Sequence, residues 1–146
     1  MSLSNAAETD LLELIFNNTA WPNVGDVSGL QPSGTAGSLY IGLHTGDPGE
    51  TGDQTTSEAD YTSYARVAVA RSGAGWTVAG NNASNAAAVT FPACTGGSNT
   101  ITYFSIGTAA SGAGNLLASG ALSASLAVST GITPEFAIGD LDVNAD

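Results

Sequence analysis

The chain contains no lysine, and among its 146 residues only Arg66 and Arg71 oppose thirteen acidic side chains. The formal net charge at pH 7 is therefore −11. Nucleic-acid binding requires cationic side chains that replace the counterions condensed on phosphate, and two arginines do not form such a surface. An anionic membrane surface requires cations for the same reason. We therefore expect no nucleic-acid partner and no membrane partner, while a basic protein surface and acidity that serves only solubility both stay open.

Cysteine and histidine each occur once, as Cys94 and His44. A single cysteine forms no internal disulfide and no cysteine-rich zinc site, and a catalytic thiol would have His44 as its only base. No G-x-S-x-G sequence supplies a nucleophilic serine. No glycine-rich turn carries the Lys-Ser or Lys-Thr pair of a phosphate-binding loop. We expect His44 to bond the loop that follows it, and the chain to be no enzyme, with no cofactor and no metal.

Long apolar segments are also missing from the chain. No run approaches the roughly 18 apolar residues of a membrane-spanning helix, and the N-terminus lacks the basic start and apolar core of a secretory signal. We therefore expect the protein to act, or to be assembled, in the compartment where it is made. The length suits one domain, and 19 glycines favour short strands joined by tight turns.

The segment SNAAETDLLELIFNN predicts the one helix of the chain. Asn5 is suited to cap it, with Glu8 three residues later as in a capping box, and Asn17-Asn18 ends it. Its apolar face contains Leu11, Leu12, Ile15, Leu14 and Phe16. So short a helix needs a surface to pack on, either its own sheet or a neighbouring subunit.

A segment rich in Gly, Pro and Ser, TAWPNVGDVSGLQPSGTAGS, follows the helix and contains Trp21, Val24 and Leu30 as apolar anchors. A connection of this length is uncommon inside a compact domain. It is therefore either an arm that reaches over another chain or a long loop folded onto its own domain. We assign residues 1–37 to an N-terminal helix and extended arm, and residues 38–146 to a β-sandwich domain.

From Ser38 the apolar residues recur with a period of two, which is typical of strands. SLYIGLH places Leu39, Ile41 and Leu43 on one face. About nine strands are predicted, the others being YARVAVAR, GWTVAG, AAAVTFP, TITYFSIG, NLLASGALS, ASLAVS, PEFAIG and DLDVN. No amphipathic helix separates them, which argues against a parallel sheet. The pattern predicts a mainly β fold, a single antiparallel β-sandwich with a jelly roll as one form of it.

The segment LYIGLHTGDPGETGDQTTSEADY begins as a strand and continues as a loop rich in carboxylates. The acidic residues of this loop are Asp47, Glu50, Asp53, Glu58 and Asp60. Their spacing matches no EF-hand, and Pro48 with three nearby glycines favours a series of turns over a calcium site. Glycoside hydrolysis would need two carboxylates at about 5 to 10 Å, and the loop lacks the aromatics of a sugar cleft. We favour a contact loop that meets basic patches, with Arg66 and Arg71 as partners of its acids inside the chain.

Several motifs in this order resemble a family of small tailed-bacteriophage virion proteins, which are often labelled tail-fibre proteins. The motifs are GSLYIGLHTGDPGE, YARVAVARSGAGWTV, a Phe-Pro turn, a strand ending in Ile-Gly, and GNLLASGAL. The resemblance covers nearly the whole chain. It implies a β-rich component of the virion that is made in the cytoplasm of the infected bacterium.

Small size, acidity and the lack of a catalytic set favour a decoration or cement protein on the capsid exterior. We then expect the major capsid protein as its partner, and a homo-oligomer, either dimer or trimer. The alternative is a tail-tip or tail-fibre module that contacts the host, with Tyr61, Tyr64 and Trp76 as contacts unless these fill the core. The predicted interaction residues are Leu11, Leu12, Ile15, Phe16, Trp21, Asp47, Glu50 and Asp53.

Overall fold

A computed structural model describes residues 2–145, which contain one α-helix and nine β-strands. The helix α1 spans Asn5–Phe16. The strands are β1 (Ser38–His44), β2 (Val67–Ala70), β3 (Trp76–Ala79), β4 (Asn82–Asn85), β5 (Val89–Thr90), β6 (Ser98–Gly107), β7 (Leu116–Ser129), β8 (Glu135–Phe136) and β9 (Asp142–Asn144). They form antiparallel sheets in the orders β2-β1-β6-β7, β3-β4-β9 and β5-β8. The predicted mainly β fold is confirmed, and the sheets are consistent with a β-sandwich.

The chain divides into two compact units. The first unit contains the residues up to Ser38, Val69–Ala88, and the residues from Phe136 onward. The second unit contains Leu39–Ala68 and Val89–Glu135, and the division passes through β2 and β8. The predicted arm therefore belongs to a unit that also contains β3, β4 and β9. The assignment of residues 1–37 and 38–146 to separate domains stays a prediction.

In the first unit, α1 begins one residue earlier than its predicted cap implies. The cap is Ser4, whose Oγ accepts a hydrogen bond from Ala7 N at 3.3 Å, so the prediction of Asn5 was wrong. Both residue types cap well, and the sequence does not decide between neighbours. The helix ends at Asn17 as predicted, because the next residue has a φ of 54°. Phe16 is buried and packs edge-on against Trp76 with ring centroids 4.7 Å apart.

Strand β4 has the sequence NASN and was not predicted, because it is short and polar. Its Asn85 is buried, and Nδ2 donates to Ala137 O at 2.7 Å and to Ala87 O at 2.8 Å. Oδ1 of the same side chain accepts from Leu141 N at 2.9 Å. A buried amide with its donors and acceptor satisfied costs little, so this polar strand is stable in the interior of the first unit.

In the second unit, β1 and β6 form the centre of the four-stranded sheet. Ile41 lies opposite Ile106 and Leu43 opposite Phe104. Leu39, Ile41 and Leu43 are all buried, which confirms the predicted inner face of β1. The segments NLLASGALS and ASLAVS, which were predicted as two strands, form the single strand β7. A register shift in its pairing with β6, between Ile101 and Tyr103, accounts for the broken pattern.

Candidate interaction surfaces

The acidic loop, residues 45–60, extends from the end of β1 in the second unit. Two backbone hydrogen bonds close its base, from Thr45 N to Ser57 O at 2.8 Å and from Ala59 N to Leu43 O at 2.8 Å. The loop therefore leaves the sheet and returns to it at adjacent positions. Its ends are fixed by the same kind of bonds that hold the strands together.

An ion pair braces the C-terminal part of the acidic loop. Arg66 Nε donates to Glu58 Oε1 at 2.6 Å and Nη2 donates to Oε2 at 2.8 Å. The same guanidinium donates to Ala109 O at 2.9 Å and to Gly112 O at 2.8 Å. Tyr64 also donates to Glu58, at 3.0 Å, and burial raises the pKa of this phenol. The prediction that Arg66 pairs with an acid of the loop is confirmed.

His44 joins the base of the acidic loop to β6. Its Nδ1 donates to Thr56 O at 2.8 Å, which leaves Nε2 to accept from Ser105 Oγ at 2.7 Å. Burial lowers the pKa of His44 below its ordinary value of 6.5. The His-Ser distance is that of a base and its nucleophile, but both side chains have no exposed surface. The arrangement confirms the prediction that His44 bonds the loop that follows it.

Gln54 fastens the middle of the acidic loop from the inside. The side chain is fully buried, its Oε1 accepts from Ala109 N at 2.9 Å, and its backbone N–H donates to Ala113 O at 2.9 Å. A Cβ added at Gly107 or Gly114 would overlap this side chain. The two glycines therefore provide the space in which the loop is held, and the loop is rigid beneath its acidic tip.

The predicted contact residues Asp47, Glu50 and Asp53 lie together at this tip. Asp47 and Glu50 are exposed, and Asp53 is half-buried. Asp53 Oδ1 accepts from Thr55 N at 2.8 Å and from Thr55 Oγ1 at 2.6 Å, and these hydrogen bonds lower the pKa of Asp53. Within residues 2–145 no three acidic, histidine or cysteine side chains converge as metal ligands. The tip is thus an ordered anionic surface.

The apolar loop, residues 21–30, is an ordered projection of the first unit. Trp21 and Leu30 exchange two backbone hydrogen bonds of 2.9 and 2.8 Å at its base. Asp26 Oδ1 accepts from Ser28 N at 2.7 Å and from Gly29 N at 3.2 Å, which fixes the turn. The exposed apolar side chains of this loop are Val24 at 39%, Val27 at 84% and Leu30 at 43%. Trp21 itself is half-buried.

The helix residues predicted to make contacts are partly in the core of the first unit. Leu12 and Phe16 are 3% and 2% exposed, whereas Leu11 and Ile15 are half-buried. Arg71 holds the end of α1 and pairs with no acid of the acidic loop, so that prediction was wrong. Its guanidinium donates to Ile15 O and Leu14 O, each at 2.6 Å, and to Ala36 O at 3.1 Å, and it also contacts Ser33. These bonds tie the predicted arm to α1 in one compact unit.

The three aromatic residues considered as contacts lie mainly inside. Tyr61 and Trp76 are 3% and 0% exposed, and Tyr64 is half-buried. Val27 was missed as a surface residue, although an apolar residue between Asp26 and Ser28 in a turn-rich segment is a usable signal. Among residues 2–145, no helix has the length and apolar character needed to cross a membrane.

A family model described as podophage GP4 fiber I protein gp80 matches residues 2–144 of the chain. The matched range includes α1, the nine strands of the described residues, the apolar loop and the acidic loop. The similarity thus extends over the whole fold. No curated protein matches the chain.

Proposed function

The chain belongs to the podophage GP4 fiber I protein gp80 family and is a phage virion protein, and we propose that it serves as a structural subunit without enzymatic activity. The observation that carries this proposal is the construction of the acidic loop. The buried side chains of His44, Gln54 and Arg66 all brace it, and every charged side chain at its tip is a carboxylate. Such a rigid anionic surface suits contact with a basic protein surface, since little ordering entropy is lost on binding.

The apolar loop is the second attachment surface in this proposal. Val27 is almost fully exposed on a turn that Asp26 and the Trp21–Leu30 pair hold in place. A rigid apolar tip enters a partner's pocket at low entropic cost. Attachment then combines an apolar contact from one loop with an electrostatic contact from the other.

The family description favours a place in or beside a fibre of the virion. Decoration of the capsid exterior, with the major capsid protein as partner, is the second candidate. Both cations of the chain are engaged internally and the net charge is −11, which suits a shell protein whose repulsion keeps particles apart. Copy number tests the two places: quantitative mass spectrometry of purified virions would give hundreds of copies for decoration and a handful for a fibre.

Attachment through the acidic tip is tested by neutralising it. The variant Asp47→Asn, Glu50→Gln, Asp53→Asn keeps the side-chain shapes and the Oδ1 acceptors, so the loop should keep its conformation. We expect incorporation into virions to fall several-fold, and added salt to weaken attachment of the unmodified protein.

The matched control for this test is the triple variant Asp10→Asn, Glu13→Gln, Asp142→Asn. It removes the same number of negative charges, but from the first unit. If the control lowers incorporation as much as the tip variant, net charge and not the tip is responsible. Unchanged incorporation of the tip variant would refute the acidic tip as the attachment surface.

A further inference from the structure

Strand β7 is an open edge of unusual length in this protein. It is the last strand of its sheet, spans 14 residues and, among the described residues, pairs with no strand except β6. The other edge strands of the two larger sheets, β2, β3 and β9, have four, four and three residues. Soluble proteins keep free edges short because unpaired N–H and C=O groups accept a strand from another chain. The length of β7 therefore needs a physical explanation.

The side chains of β7 do not protect this edge. Only Val128 of the strand is buried, and Leu117 is 46% exposed. No charged residue and no proline occurs in β7, and the whole segment 72–134 is free of charge. Lysine, proline and inward-pointing charges are the usual devices against strand addition, and all of them are missing here. A register shift does interrupt the strand, since residues 122–125 lie between its two regular pairings with β6.

We propose that β7 pairs antiparallel with β7 of a second copy of this chain, which extends the four-stranded sheet across a two-fold axis. The distribution of charge favours a second copy of this chain as the partner of β7. Each copy carries −11, so two copies can approach closely only where neither has a charge, and β7 is the longest such strand. A basic partner would gain no electrostatic attraction from a neutral edge, and the acidic tip is the surface that would bind it.

The position of the acidic tip fixes the direction of this pairing. Gly49 and Glu50 flank the start of β7 and line, with Leu116 to Ser119, a groove of about 290 Å³. A parallel pair would bring the two Glu50 carboxylates side by side. In the antiparallel pair centred on Ser123, Leu117 lies opposite Ser129 of the other copy. The two Glu50 side chains then lie at opposite ends of the paired strands, roughly 40 Å apart, where salt screens their repulsion.

The oligomeric state of the full chain tests this pairing. Sedimentation velocity of the purified protein over a wide concentration range should show a monomer–dimer equilibrium. Ala121→Lys places a charge on the exposed edge strand, once in each copy, and should raise the dissociation constant of the dimer by about tenfold or more. The control is Ala79→Lys, an equally exposed alanine on β3, which should leave the equilibrium unchanged.

Cross-linking tests the direction of the strands. In a Cys94→Ser background, which removes the one native thiol, Ser123→Cys lies beside the two-fold axis and should form an intermolecular disulfide. Leu117→Cys lies far from its counterpart and should not. A monomer at every concentration, a trimer, equal effects of the two lysine variants, or cross-linking through residue 117 would each overturn the proposal. Purified protein is used throughout, so the result is independent of how the subunit attaches to the virion.

Discussion

Arg66 and Glu58 form a bidentate ion pair, with Nε–Oε1 and Nη2–Oε2 distances of 2.6 and 2.8 Å. The pair connects the acidic loop to the residue that immediately precedes β2. The arginine side chain is 2% exposed and the glutamate side chain 18%. Removal of one partner would leave the other charge largely buried, which is more costly than the net stabilisation of an intact pair.

Arg66→Met should therefore lower the free energy of unfolding by about 3 kcal/mol, because the Glu58 carboxylate loses its cationic partner and two backbone carbonyls lose their donor. Urea denaturation at pH 7 measures the loss. The double variant Arg66→Met, Glu58→Gln serves as control and should recover part of it, since no unpaired charge remains. A single variant within about 0.5 kcal/mol of the unmodified protein would contradict the bracing role of the pair.

Arg71→Ala should release the end of α1 and the residues that follow it. The guanidinium donates hydrogen bonds to the carbonyls of Leu14, Ile15 and Ala36. Each hydrogen bond from a charged donor contributes about 1.5 to 3 kcal/mol to stability, which the variant loses. We expect faster amide hydrogen exchange between residues 10 and 37, with β6 as the internal reference. If the amides of this segment exchange as slowly in the variant as in the unmodified protein, packing alone holds the segment in place.

Stability should fall on acidification because His44 is buried in its neutral form. Its pKa is lowered in the folded protein, so the unfolded chain takes up a proton near pH 6.5 that the folded chain does not. The contribution is complete above pH 6.5 and is lost as the pH falls towards the lowered value, with a slope of at most about 1.4 kcal/mol per pH unit.

His44→Gln should flatten the pH dependence of unfolding between pH 6.5 and 5, where most carboxylates stay ionised. Ser105→Ala is the matched control: it removes the hydroxyl that donates to Nε2 but keeps the buried imidazole, and should retain the slope. Chemical denaturation at a series of pH values measures both. An unchanged slope in His44→Gln would assign the acid sensitivity to other groups.

Gly107→Ala should destabilise the second unit by about 1 to 3 kcal/mol, because the new methyl group would overlap the buried Gln54 side chain. Gly73→Ala is the control, since a Cβ there meets no atom within 4 Å and its φ is not positive. Thermal unfolding of the two variants gives the comparison. If both variants lower the midpoint of thermal unfolding equally, the lost stability reflects a general cost of replacing glycine and not an overlap with the Gln54 side chain.

Most of the regular structure could be predicted from short-range patterns. The alternation of Leu39, Ile41 and Leu43 reflects burial on one face of a sheet, and the helix face reflects a period near four. The polar strand β4 could not be found, because Asn85 is satisfied by Ala137 and Leu141, which lie more than 50 residues away. Its hydrogen bonds, not its hydrophobicity, place it inside.

The candidate surfaces, like the fold, could be predicted from the sequence only in part. The acidic tip was visible as a run of carboxylates, and the loop-bonding role of His44 followed from its place at the end of a strand. The role of Arg71 was not visible, because the choice between a carboxylate and three backbone carbonyls depends on where the end of α1 lies. The apolar loop was seen as a connection, but its exposed Val27 depended on the turn that Asp26 closes.

By itself the sequence determined the charge of −11, the strand periodicity, the single short helix and the likeness to phage virion proteins. These properties depend on composition and on residues a few positions apart. Tertiary structure alone decided that Arg66 and Arg71 are internal, that two predicted strands are one, and that this strand is an uncharged edge. Each of these outcomes depends on which distant segments meet, because a buried polar group or a free edge is defined only by its neighbours in space.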